Sequence, residues 1–364
     1  MQAEIRNHTP LAEAVVPLTD EHGTPVLVPL LQASFDIAGD GTLALPDEVP
    51  PLALGGIAWD DDPAQGWRVE PQMAFVKPGC DVVLNGHALA TARGCTRMAV
   101  EFTLGAAQRR ALVFGERHLL EGRRVSGPQP FERVPLRWTQ AFGGRDTRHA
   151  DAAEHREEPR NPVGLGFRDP RQPVDADVRL PALEDPQLPY ARYGDTPPPV
   201  GFGFVAPQWQ PRTAWAGTYD DAWQATRMPL LPRDFDRRFF CAASSGLALA
   251  QPPAGGERAS VVGTTPAGRL DFTLPALGTP LFHAHLRGRR RTTLKLVLDT
   301  VIVDTDRMQL QMIWRAHLPL RNGPHDLVAG EFHLPDVQAR ATLRAARAAQ
   351  AAQAARAAAA EAGR

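Results

Sequence analysis

"RRTTLKLVLDTVIVDTDRMQLQMIWRAHLPL", residues 290–320, carries the clearest structural signal in the chain. Leu294, Leu296 and Leu298 recur every second residue, with Lys295 and Asp299 nearby, and Leu310, Met312 and Trp314 repeat that period. Strand side chains alternate between faces with this spacing. The stretch reads as two long strands joined by a turn near Asp304–Arg307.

The first third of the chain reads the same way. "PVLVPLLQASFDI" (25–37) is rich in aliphatic and β-branched residues and is closed by "AGDG". "TRMAVEFTLG" (96–105) and "RALVFGER" (110–117) follow as a strand pair. "MAFVKPGCDVVLNGHALA" (73–90) holds two short apolar runs, a Pro-Gly break and an Asn-Gly pair at 85–86. Asn and Gly both tolerate positive φ, so this pair is the best short hairpin signal available.

Between Pro128 and Pro211 periodicity fades and Pro, Gly, Arg and aromatic residues dominate. The chain has 35 prolines and 31 glycines, yet 43% of its residues are hydrophobic. That balance predicts fixed turns and ordered connections rather than disorder. The long segment is expected to wrap over the sheets, pinned by Trp138, Phe142, Phe167, Trp209 and Trp215. The final stretch, 337–364, is mostly alanine with spaced arginines and predicts a helix about 40 Å long at 1.5 Å per residue. Val337 and Leu343 are its only large aliphatic residues, so it is expected to project into solvent or meet a partner. Its plainest reading is a solvated tail, with Arg340, Arg344 and Arg347 on one face.

The fold expectation is therefore mainly β. It comprises β-sandwich-like sheets, long ordered Pro/Gly-rich loops and a C-terminal Ala-rich helix. Residues 1–335 read as one large β-rich domain, divisible into lobes 1–127 and 128–335, and 336–364 as the terminal helix or tail. Lys and Arg number 40 against 41 Asp and Glu, so no general attraction to nucleic acid or anionic lipid is expected. Cys80, Cys95 and Cys241 are an odd count without CxxC spacing, which argues against a disulfide framework or zinc knuckle. The start lacks a basic segment followed by an apolar run, and no stretch approaches the ~18 apolar residues of a membrane span. A cytoplasmic, membrane-free protein is expected.

Motifs for chemistry are scarce. "RNPVGLGF" (160–167) lacks the lysine and hydroxyl of a phosphate-binding P-loop, and the "FRDPRQP" that follows its GxG cannot start a long helix. A corner is the better reading: Asn161 satisfies backbone groups, Gly164 and Gly166 bend, and Phe167 anchors. "AFGGRD" (141–146) and "GFGF" (201–204) repeat the recipe. Acid clusters such as "WDDDP", "TYDDAW" and "DFD" lack a cation-loop pattern, and arginines flanking "DFD" suggest local ion pairing. "ASSGLAL" is not GxSxG, and Cys241 in "RFFCAASSG" has the neighbours of a core cysteine. No catalytic, cofactor or metal residue is assigned.

Several stretches together resemble the domain of unknown function family 2169. They are "FVKPGCDVVLNGHA", "PLRWTQAFGGRD", "RNPVGLGF", "RTAWAGTYDDAWQATRMPLLPRDFDRRFFCAA" and "LDTVIVDTD…MIWR", in that order, covering about Val26 to Arg315. The resemblance implies an adaptor or chaperone that stabilises a type VI secretion effector and helps load it onto the spike, with effector and spike-tip proteins as partners. It implies no catalytic residues. Some members carry C-terminal repeats, such as pentapeptide repeats; here an Ala/Arg stretch stands instead.

Trp, Tyr and Arg supply interface hot spots. Partner contacts are therefore expected at Trp138, Phe142, Arg145, Asp146, Arg160, Asn161, Phe167, Trp215, Tyr219 and Trp223. Two rival readings are a metal-assisted hydrolase using His283, His285 and Asp299 or Asp236, and a carbohydrate-binding sandwich stacking sugars on Trp59, Trp138, Trp209, Trp215 and Trp223.

Overall fold

The computed structural model describes residues 3–120, 124–172, 177–288 and 290–362. Val297–Asp304 and Gln309–Arg315 pair antiparallel, with Leu298 opposite Trp314 and Val303 opposite Leu310. Asp304 closes the turn between them by accepting from the backbone N–H groups of Asp306 and Arg307. The expected long first strand is corrected. Arg290–Lys295 is a separate strand, paired with Leu281–Leu286. The chain changes sheet at Leu296, whose buried side chain enters the core while its N–H bonds the Pro280 carbonyl.

Three sheets dominate. The main one runs Ala12–Thr19, Pro25–Ile37, Gln309–Arg315, Val297–Asp304, Cys80–Asn85, Ala248–Leu249. All its neighbours along this path are antiparallel except Val297–Asp304 and Cys80–Asn85. The second runs Leu183–Glu184, Ala107–Phe114, Arg97–Leu104, Arg258–Val262, Arg269–Thr273, so strands from both sides of residue 127 share it. The third runs Glu4–Asn7, Leu327–His333, Leu281–Leu286, Arg290–Lys295. Strands account for 36% of residues and helices for 15%, which makes the chain mainly β.

Pro25–Ile37 shows why a continuous apolar run is a strand here. Leu27, Leu31, Ala33 and Phe35 point into a core shared with Val100 and Phe102 of the second sheet and Phe282 and Phe332 of the third. Val26, Val28 and Leu30 point the other way, under Phe75, Phe235 and Phe240 of the connecting segments. Both faces are buried, so neither alternates with polar residues.

The Asn85–Gly86 hairpin expectation is also corrected. Cys80–Asn85 pairs with Val297–Asp304, whereas His87–Leu89 pairs with Arg133–Pro135. Gly86, at φ +152°, turns the chain out of the main sheet. A Cβ there would lie 2.2 Å from Thr305 Oγ1. Asn85 donates from its side-chain amide to Arg68, and its carbonyl accepts from the Thr305 N–H.

The terminal helix, Val337–Ala362, is not a free tail in its first half. Ala339, Leu343 and Ala346 are buried on one face. The small alanines let the helix approach the body so closely that the Ala346 carbonyl accepts from the Leu45 N–H. Gln350 reaches Asp47. Arg340, Arg344 and Arg347 are exposed, and residues 354–358 are exposed throughout. Among the described residues, no helix is long and apolar enough to cross a membrane.

Candidate functional site

Two regions carry the glycine, aromatic and arginine residues expected to meet a partner, and they are built differently. In the first, "AFGGRD" and "RNPVGLGF" lock together. Phe142–Gly143 pairs in parallel with Leu165–Gly166. Asn161 is fully buried and donates to the carbonyls of Trp138 and Phe142 at 2.8 and 2.9 Å. Gly143 and Gly164 are required by close approach: a Cβ would lie 2.0 Å from the Asn161 carbonyl at one and 2.4 Å from its amide nitrogen at the other. The Trp138 indole lies on Gly201 of "GFGF" and donates to the Phe204 carbonyl at 2.8 Å.

This placement corrects part of the partner-contact expectation. Trp138, Phe142, Asp146 and Asn161 are buried, and an interior side chain cannot be presented to a partner. Phe167 is half-buried, and Phe142 is the buried anchor. Arg145 is exposed and paired with Glu157; Arg160 is half-buried and paired with Glu158.

A short signal explains several of these arginines. Asp146-x-Arg148, Glu158-x-Arg160, Asp169-x-Arg171 and Asp236-x-Arg238 each form an ion pair, and in each the acid also accepts from the arginine's own backbone N–H. The unit is a turn closed by its own charge. The Arg148 guanidinium holds the Asp146 carboxyl well below the usual carboxylate range.

The second region is 212–243. Its short 3-10 helix Arg212–Trp215 leaves Trp215 half-buried. Asp220 caps helix Asp221–Thr226 by accepting from the Trp223 N–H, and the Trp223 indole donates to the Leu230 carbonyl. Tyr219 packs edge-on against Trp223 at 4.7 Å and is 52% exposed; Met228 is 60% exposed.

Beside this region lies an apolar groove of about 320 Å³, walled by Pro78, Val205, Pro211, Trp215, Cys241 and Leu249, with Arg212 and Arg238 among its lining. It runs along Ala248–Leu249, the terminal strand of the main sheet's path. The Arg238 guanidinium lies 5.1 Å from the Trp215 ring and is held by Asp236. Burial pushes the Cys241 thiol up to about 11, so at neutral pH it lines the groove as an uncharged S–H.

Three buried ion pairs that sequence reasoning missed lie in this part of the fold, and one of them, Arg212–Glu70, lines the groove through Arg212. Arg212 pairs with Glu70 and donates to the carbonyls of Val205 and Phe239. Lys77 pairs with Asp81 at 2.7 Å and reaches Thr300, and Arg315 pairs with Asp299 at 2.6 Å. Asp81 also accepts from the N–H groups of Ala242 and Ala243. Burial alone pulls the Lys77 ammonium down; the carboxylates of Asp81, Asp299 and Glu70 more than offset it, and its pKa rises. Glu70 and Arg212 come from segments far apart in sequence and Asp299 and Arg315 from neighbouring strands, whereas Lys77 and Asp81 are a local pair four residues apart.

A second cavity, of about 360 Å³, is lined by Lys77, Asp299, Arg315 and His317 among others. Its Lys77, Asp299 and Arg315 are already closed on buried partners. The hydrolase constellation is not brought together: Asp299 is tied to Arg315 and Asp236 to Arg238, while His283 and His285 lie on the third sheet. Of the five tryptophans the sugar-stacking reading names, Trp138 and Trp209 are buried, and Arg137 covers the half-buried Trp59 at 4.1 Å.

The fold and groove define a mainly β protein whose loops wall an apolar groove. The chain belongs to the family described as "Uncharacterized protein conserved in bacteria (DUF2169)", which matches residues 22–315. No curated protein and no solved structure matches the chain.

Proposed function

We propose that the chain is a cytoplasmic, non-enzymatic adaptor or chaperone. It holds a type VI secretion effector and helps load it onto the spike complex, taking an apolar segment of the client in the groove beside Ala248–Leu249. The observation that carries this reading is the groove itself. It is apolar, its Cys241 is uncharged, and its rim offers Trp215 and Arg238, residue types that dominate binding energy at protein interfaces. Arg212, paired with buried Glu70, and Ala243, held by the buried Asp81 carboxylate, brace its wall before a client arrives, which lowers the ordering cost of binding. Exposed Tyr219 and Met228 extend the apolar surface of the same segment. A client segment that would aggregate when free is covered until the spike assembles.

The test is co-purification with the products of the genes that neighbour its own, effector and spike-tip proteins being the ones expected. Trp215→Ala is expected to weaken retention about tenfold or more, and deletion of the adaptor to lower the effector's abundance. Failure to retain any of these proteins, with effector abundance unchanged on deletion, overturns the proposal.

A further inference from the structure

We infer that the outer face of the third sheet binds one divalent first-row transition-metal ion, of the zinc type, through His8, Glu331 and His333. The inference is independent of the adaptor reading. It starts from register. Glu4–Asn7 runs parallel to Leu327–His333, with Asn7 beside Phe332. One residue further, the His8 N–H bonds the Phe332 carbonyl, which sets His8 beside His333. Strand alternation places Glu331 and His333 on one face while Phe332, between them, is buried in the core. Leu281–Leu286 adds His283 directly opposite Glu331, and His285 follows on the same face.

Four imidazoles thus surround one carboxylate. The His8 and His333 rings stack at 4.4 Å, and His283 meets His333 edge-on at 4.9 Å. Glu331 lies 3.3 Å from His333 Nε2 and 3.9 Å from His285 Nε2. One ligand atom from each of His8, Glu331 and His333 lies within 4.8 Å of the others. Small rotations of these partly exposed side chains close that spacing onto an ion with bonds of about 2.0–2.2 Å. His283 is fixed by Thr293 at 2.8 Å and supports the site from behind His333.

Two imidazoles and one carboxylate suit zinc, nickel or copper(II), whereas calcium and magnesium require oxygen-rich shells. The surroundings reinforce that choice. His8 also lines a cleft with Arg340, Arg344 and Arg347 of the terminal helix. Those cations penalise an ion held only by charge and leave the imidazole bonds to decide. Three protein ligands leave an open position, which next to three arginines favours an anion.

The test uses the full-length chain without a polyhistidine tag, stripped by chelator and titrated calorimetrically with zinc. One equivalent is expected to bind, and His8→Ala and His333→Ala are expected to weaken it about tenfold or more. His8 is exposed, so His8→Ala keeps the fold and decides the matter if His333→Ala does not. Cobalt(II) should give a visible absorption band that His8→Ala abolishes. Absence of saturable one-equivalent uptake, uptake unchanged in His8→Ala, or equal binding of calcium overturns the inference.

Discussion

The corner at 141–167 and the segment at 212–243 are written in the same vocabulary of glycine, aromatic and arginine residues, yet they face opposite ways. In the corner, the glycines sit where two backbones touch, and Asn161 consumes the carbonyls that the bends expose. Its aromatics are therefore drawn inward. In 212–243, a capped short helix and a 3-10 turn satisfy the backbone locally, so Trp215, Tyr219 and Trp223 are left partly exposed. What decides whether such a loop binds a partner is where its backbone hydrogen bonds end.

This contrast predicts two kinds of mutant. Corner mutants should lose stability, and groove mutants should lose binding. The largest effect is expected at Gly143→Ala. Its Cβ would strike the Asn161 carbonyl, and φ there is +150°, so a loss of about 4 kcal/mol or more is expected in urea unfolding. Lys77→Met should follow at about 3–5 kcal/mol, because Asp81 is left buried without its cation. Asn161→Ala should cost about 2–4 kcal/mol, since the Trp138 and Phe142 carbonyls lose their donor. Tyr219→Ser should stay within about 0.5 kcal/mol, as a surface change does.

The ion-paired turns and the groove thiol should respond to pH in opposite directions. Hydrogen bonds from Arg148 and Arg171 hold the Asp146 and Asp169 carboxyls below their unfolded value of about 3.9. Their contribution is present above about pH 4 and is lost as pH falls through the depressed folded values. Urea midpoints measured between pH 6 and 3 should fall, and Asp146→Asn should flatten the fall. Cys241 runs the other way. Its thiol is raised to about 11 by burial, so the folded state holds a proton that the unfolded chain releases near about pH 8.5. Stability should decline as pH rises between these values, and Cys241→Ala should lessen that decline, the buried Cys80 thiol, also raised by burial, supplying the rest. An alkylating reagent at pH 8 should label Cys241 slowly in the folded protein.

The strand pairs 97–104 with 107–114 and 297–304 with 309–315 were legible because they are local and alternate. Asn85–Gly86 misled because its turn chemistry is real while its partners are remote: Thr305, not a neighbouring strand, sets the corner. The terminal helix misled because hydrophobicity was counted and closeness was not; Ala339 and Ala346 bury through small size. Of the candidate site, Trp215 and the Asp236–Arg238 turn could be read from sequence. Lys77–Asp81 and Asp299–Arg315 were visible only as letters inside the family's motifs, and the Glu70 of Glu70–Arg212 lies outside them. His8 lies outside those motifs, and a parallel pairing across most of the chain brings it beside His333.

In the proposed function the groove binds and the corner only supports it. Client retention and urea midpoint, measured together on Trp215→Ala and Asn161→Ala, test it most directly. Trp215→Ala is expected to lose about tenfold or more in retention for about 1–2 kcal/mol of stability, while Asn161→Ala loses stability and retains its client wherever it stays folded. Full retention by a folded Trp215→Ala protein, with retention lost in a folded Asn161→Ala protein, would contradict it.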